Sequence, residues 1–132
     1  MEKNNSDQRP TILVVDDHPD TITLISYVLK DRYRIRAANS GEAALHVARL
    51  DNRTDLILLD VMMPEIDGFK VCGDLKANPA TRDIPIIFLT SLVHRDDKKL
   101  GLELGAVDYI NKPIDPEELL ACVRKYLPRK WS

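Results

Sequence analysis

One stretch limits the fold more than any other: Leu56-Ile57-Leu58-Leu59-Asp60, followed by Val61-Met62-Met63-Pro64-Glu65-Ile66-Asp67-Gly68. Four aliphatic residues run straight into an acid. So short and apolar a run reads as a strand buried on both faces, as in a parallel sheet. Asp60 then sits where a buried strand ends. Pro64 and Asp67-Gly68 break the extended run and launch a helix. A carboxylate there is costly unless something nearby uses its charge.

The rest of the chain repeats the alternation. Ile12-Leu13-Val14-Val15 is a second buried-type strand, ending in Asp16-Asp17. Next comes a helix with His18 as a candidate cap, Pro19 at its first position, and Ile22, Ile25, Val28 and Leu29 at helical spacing. Tyr33 to Ala38 alternates apolar and charged residues, so this strand should lie at a sheet edge. Ser40 is a candidate N-cap for a helix running to about Leu50. After the central strand, a helix from about Asp67 to Lys76 carries Phe69, Cys72 and Leu75 on one face. Residues Asn78 to Asp83 read as a loop. Ile84 to Leu89 reads as a strand ending in Thr90-Ser91, with Pro85 tolerable only near its start.

A charged helix follows, with Val93, Leu100 and Leu104 on one face, and Gly105 stops it. Val107 to Ile110 is a short strand ahead of Asn111-Lys112-Pro113. Asp115-Pro116-Glu117-Glu118 opens a last helix that buries Leu119, Leu120, Val123 and Leu127. Five strand–helix alternations give an open α/β sheet with ligands at the carboxyl ends of its strands. Residues 1–10 read as a disordered tail, 11–127 as one domain, and 128–132 as a tail or linker stump.

The 19 basic and 21 acidic side chains leave a net charge of −2, which gives no electrostatic case for nucleic acid or a membrane surface. No segment has the length of a membrane span, and the polar start lacks an apolar leader core, so a cytoplasmic location is expected. Cys72 and Cys122 read as two reduced, packed thiols. His18, His46 and His94 are too scattered in sequence to suggest a metal site, and Met62-Met63 reads as packing.

The strand ends carry the chemistry. Asp16-Asp17, Asp60, Thr90 and Lys112 all fall on the carboxyl edge of one sheet, whereas the edge strand ends in uncharged Asn39-Ser40-Gly41. Two carboxylates about 5 Å apart repel by roughly 3 kcal/mol at an effective dielectric near 20. Lys112 alone does not balance three of them. A hard divalent cation does, so the cluster points to Mg²⁺, with Mn²⁺ as a substitute, and with it to phosphoryl chemistry.

These residues, together with Asp60-x-x-Met63-Pro64-x-x-Asp67-Gly68, Gly105-Ala106-x-Asp108-Tyr109 and Lys112-Pro113, resemble the receiver domains of bacterial response regulators, the CheY-like superfamily of two-component phosphorelays. The resemblance covers about Thr11 to Leu127. It implies a single-domain, three-layer flavodoxin-like (βα)5 fold with strand order 2-1-3-4-5. It implies that Asp60 accepts a phosphoryl group from a histidine kinase or a histidine phosphotransfer protein, and that Asp16, Asp17, Asp60 and the Met62 carbonyl hold the metal. Lys112 and Thr90 would contact the phosphoryl group, aided by a cis Lys112-Pro113 bond. Thr90 and Tyr109 would form a switch that remodels the face of the fourth helix, fifth strand and fifth helix, where a downstream partner or a second copy would bind. Met62 and Leu92 would flank the path of the attacking water, and two apolar residues there imply slow loss of the phosphoryl group.

The only catalysis expected is the domain's own phosphorylation and dephosphorylation. One rival is a magnesium-dependent phosphatase with an aspartyl nucleophile, although such enzymes carry Asp-x-Asp where this chain has adjacent acids. The other is an inactive adaptor. The Asn78–Asp83 loop resembles that of receivers joined to signalling enzymes or kinases.

Overall fold

The structure, a computed structural model, describes residues 8–50, 53–91 and 95–127, with the side chains of 95–97 set aside. Most of the expected tails, Leu92, Val93 and His94 therefore lie outside the described residues. In chain order the elements are β1 (Thr11–Val15), α1 (Pro19–Leu29), β2 (Arg34–Ala38), α2 (Gly41–Leu50), β3 (Thr54–Asp60), α3 (Gly68–Ala77), β4 (Ile86–Thr90), α4 (Arg95–Glu103), β5 (Asp108–Asn111) and α5 (Pro116–Tyr126). The strands form one parallel sheet in the order β2-β1-β3-β4-β5. The order reverses between β1 and β3, so the carboxyl ends of these two strands flank the crevice such folds use for ligands.

Strand alternation divides the core into two layers. Leu13, Val15, Ile57, Leu59, Ile86 and Phe88 point to the side packed with α2 and α3. Ile12, Val14, Leu56, Leu58, Ile87 and Leu89 point to the side packed with α1 and α5. Every residue of β1 and β4 is buried, while β2 is mostly half-buried, as an edge strand should be. Ser40 caps α2 by accepting from the Ala43 N–H at 3.1 Å. Asp67 and Asp115 cap α3 and α5. Gly105 has a φ of +114°, a backbone state that favours glycine.

Several expectations need correction. β4 starts at Ile86, because Pro85 has no N–H to donate; its carbonyl still accepts from Ile57. β5 is shifted by one residue, to Asp108–Asn111. On α4, Leu100 is exposed, and Gly101 is the residue that meets the Phe88 ring. On α5, Leu119 and Val123 are fully buried, and Leu120 and the C-cap residue Leu127 are half-buried and pack against the same layer. Met63 is packed, but Met62 is 59% exposed, so packing does not explain Met62. Both cysteines are free thiols. Among the described residues no helix is long and apolar enough to cross a membrane.

Candidate functional site

Sheet register brings the strand-end acids together. Val15 pairs with Leu59, so the next residues, Asp16 and Asp60, stand side by side at the carboxyl edge. Both are buried, at 0% and 2% exposure. Lys112 follows β5 and reaches across β4 to the pair. Its Nζ lies 2.8 Å from Asp16 Oδ2 and 3.3 Å from Asp60 Oδ1. The Lys112 N–H donates to the Thr90 carbonyl at 2.8 Å, and Lys112-Pro113 is a cis bond.

The loop after β3 is tied down as firmly. The Met62 N–H donates to Asp60 Oδ1 at 3.2 Å, and the Gly68 N–H donates to the Val61 carbonyl at 2.8 Å. Asp60 Oδ1 thus has two donors nearby, while Oδ2 is buried without a hydrogen-bond partner. Burial, then the charge of Asp16, raises the Asp60 carboxyl from an ordinary 3.8 to about 6; Lys112 and the Met62 N–H act against that rise. Burial pulls the Lys112 ammonium down, but its bond to Asp16 and the charges of Asp60 and Asp16 outweigh this and hold it above its usual value. The ammonium is therefore charged, and it faces more anionic charge than it can balance.

The donor set fits a hard divalent cation. Asp16, Asp17 and Asp60 supply carboxylate oxygens, and Asp60 Oδ2 is an orphaned buried acceptor. One ligand atom from each of Asp16, Asp17, His18 and Asp60 falls within 4.8 Å of the others. His18 belongs to this group although its sequence position suggested only a cap. It does occupy the N-cap position of α1, but its side chain makes no capping bond. Its ring instead faces the two acids, with Nδ1 at 3.1 Å from Asp16 and 3.2 Å from Asp17. A turn held by the bond from the His18 N–H to Asp16 Oδ1 sets that direction. The only sequence signal was adjacency to Asp16-Asp17.

The family model for the response regulator receiver domain matches residues 12–124. The chain belongs to this family. Its fold superposes on the Vibrio cholerae chemotaxis protein CheY4 with a TM-score of 0.85 at 30% identity, covering 89% of this chain and 98% of that one. It is 47% identical over 122 residues to a "Probable cyclic di-GMP phosphodiesterase" of Vibrio cholerae, and 47% identical over 114 residues to the response regulator PleD of Caulobacter vibrioides. Those matches take in 92% and 86% of this chain but only 27% and 25% of the relatives, so the receiver spans about a quarter of their length.

Within this receiver domain, Thr90 and Tyr109 lie on adjacent strands. Phe88 pairs with Tyr109 and Thr90 with Asn111, so by alternation Thr90, Phe88 and Tyr109 share the face toward α3 and α4. Thr90 is buried. The Tyr109 hydroxyl is buried without a hydrogen-bond partner, and Lys98 Nζ sits 5.6 Å from the ring centroid. Leu92, expected to flank the site with Met62, lies outside the described residues; the exposed Met62 side chain stands two residues beyond Asp60.

Proposed function

We propose that this receiver domain is a switch set by phosphorylation of Asp60. The observation that carries the reading is the Lys112 ammonium, which follows β5 and is held between Asp16 and Asp60 at the ends of β1 and β3. An Asp60 carboxylate oxygen attacks the phosphorus of a phosphohistidine on a kinase or phosphotransfer protein. An O–P bond forms, the donor's N–P bond breaks, and the imidazole leaves with the electron pair. Asp16, Asp17, Asp60 and the Met62 carbonyl would hold Mg²⁺, which when bound neutralises charge on the phosphoryl oxygens. Lys112 keeps its charge next to the reacting carboxylate and pairs with the new phosphoryl oxygens.

Thr90 bonds the phosphoryl group, and Tyr109, on the same sheet face, follows its movement. The new dianion thereby remodels the α4–β5–α5 surface toward a partner or a second copy. Catalysis is limited to this domain's own phosphorylation and dephosphorylation. The exposed thioether of Met62 neither donates nor accepts strongly, so it positions water poorly and prolongs the modified state. A phosphoryl half-life of seconds in the purified protein contradicts that last point.

The relatives' names attach output functions to whole proteins several times longer than the match, and this domain would control such an output rather than perform it. The phosphatase and inactive-adaptor readings find no support in the family match. Borohydride trapping after incubation with a small acyl phosphate and Mg²⁺ tests the reading. Label mapped to Asp60 supports it, and label at another residue overturns it.

A further inference from the structure

His18 has no task in phosphoryl transfer as described above, yet its ring stands in the acidic cluster. Nδ1 lies 3.1 Å from Asp16 Oδ1 and 3.2 Å from Asp17 Oδ1. With bonds of about 2.1 Å, neighbouring ligands of one small cation lie roughly 3.0 Å apart in an octahedron and 3.4 Å apart in a tetrahedron. Both nitrogen–oxygen separations thus already suit ligands of a single ion. A separate observation points the same way: Asp60, 2% exposed, belongs to this cluster, and its Oδ2 is buried with no hydrogen-bond partner. The ring's 66% side-chain exposure leaves a route for an ion from solvent.

A simpler role for the ring is as a protonated counter-ion to two acids. The two roles part when the cation changes. Mg²⁺ is hard, prefers oxygen and keeps its waters, so it gains little from imidazole. Zinc-class ions take imidazole nitrogen readily alongside carboxylate oxygen. We propose that His18 is a nitrogen ligand that, with Asp16 and Asp17, lets this site bind divalent transition metals of the zinc and cobalt class in competition with Mg²⁺. The inference rests on the reading of the acidic cluster as a cation site. Its consequence is regulatory: an ion held by His18, Asp16 and Asp17 occupies the acids that Mg²⁺ needs, so transition-metal level sets how readily Asp60 is modified.

Calorimetric titration of the full chain with Co²⁺, Zn²⁺ and Mg²⁺, in wild type, His18→Phe and His18→Asn, tests this. His46→Gln serves as the control for binding elsewhere. Loss of a direct ligand should weaken Co²⁺ and Zn²⁺ binding by about tenfold or more, at least the effect of losing a partner of a ligand. Mg²⁺ binding should change by less than about twofold, since it does not use the ring. Pulsed electron paramagnetic resonance of the Co²⁺-loaded protein should show nitrogen coupling in wild type and none in either His18 variant. Unchanged Co²⁺ and Zn²⁺ affinity in both variants, with no nitrogen coupling and with Mg²⁺ still bound, overturns the inference and leaves the parent reading intact. If no ion binds wild type, the parent reading itself fails, and the inference with it.

Discussion

Gly68 packs directly against the backbone of Asp60: a β-carbon on Gly68 would stand 2.2 Å from the Asp60 carbonyl oxygen and 2.9 Å from the Val61 α-carbon. The first residue of α3 and the last of β3 are therefore one packing unit, closed by the bond from the Gly68 N–H to the Val61 carbonyl. Backbone atoms cannot swing aside as a side-chain tip can.

Gly68→Ala should therefore destabilise the domain by about 1–3 kcal/mol or more, as overpacking does, and move Asp60 away from Lys112. Gly73 lies within the same helix and has open space at its β-carbon position. Gly73→Ala should stabilise by about 0.5–1 kcal/mol through backbone entropy. Urea denaturation of both variants checks the contrast, and equal effects contradict it.

Asp60 should make the metal-free domain less stable as pH rises. Its folded-state carboxyl titrates at about 6 rather than 3.8, so between those values the folded state holds a proton that the unfolded state has lost. Stability falls through that window, and above it the full effect is on the order of 3 kcal/mol. Asp60→Asn removes this effect but also a Lys112 partner, so in chelator at pH 7.5 it should be more stable than wild type by about 1–3 kcal/mol. At pH 4 the gap should close. Denaturation curves at the two pH values decide the matter; a gap that widens on acidification has the wrong sign.

Lys112→Met leaves Asp16 and Asp60 as facing buried anions. Removing one member of a buried pair costs about 3–5 kcal/mol. Part of that loss should vanish at pH 5, where Asp60 takes up a proton. Thermal melts in chelator at pH 8 and pH 5 read the difference, and a loss of equal size at both contradicts the coupling.

Tyr109→Phe removes a buried hydroxyl that has no hydrogen-bond partner. The change should be neutral or stabilising by up to about 1 kcal/mol, since no bond is lost and a desolvated group disappears. Tyr109→Ala, which empties the ring's place beside Phe88 and Gly101, should instead cost about 2–3 kcal/mol. A loss of stability in the phenylalanine variant would mean that the hydroxyl has a partner in solution.

Much of this site was legible in the sequence because β-structure is periodic. Four strands that each end on or just before a polar residue at one edge of a parallel sheet bring those residues together, and Val15↔Leu59 is the pairing that makes Asp16 and Asp60 neighbours. His18 was not legible, because the aim of a ring depends on the turn after β1, where its own N–H bonds Asp16. Gly101 was missed for a related reason. Hydrophobic periodicity favours Leu100 as the buried residue, but it is Gly101 that lies against the Phe88 ring, where a β-carbon would stand only 3.0 Å from it. The bond from the Tyr126 hydroxyl to Asp108, which ties the end of α5 to β5, depends on a tertiary crossing that no local pattern encodes.

Intact mass after incubation with a small acyl phosphate tests the central claim most directly, with wild type and Asp60→Asn compared in Mg²⁺ and in chelator. The account predicts one added phosphoryl group on wild type in Mg²⁺, little or none in chelator, and none on Asp60→Asn under either condition. A phosphoryl group on Asp60→Asn, or equal modification of wild type with and without Mg²⁺, would contradict it.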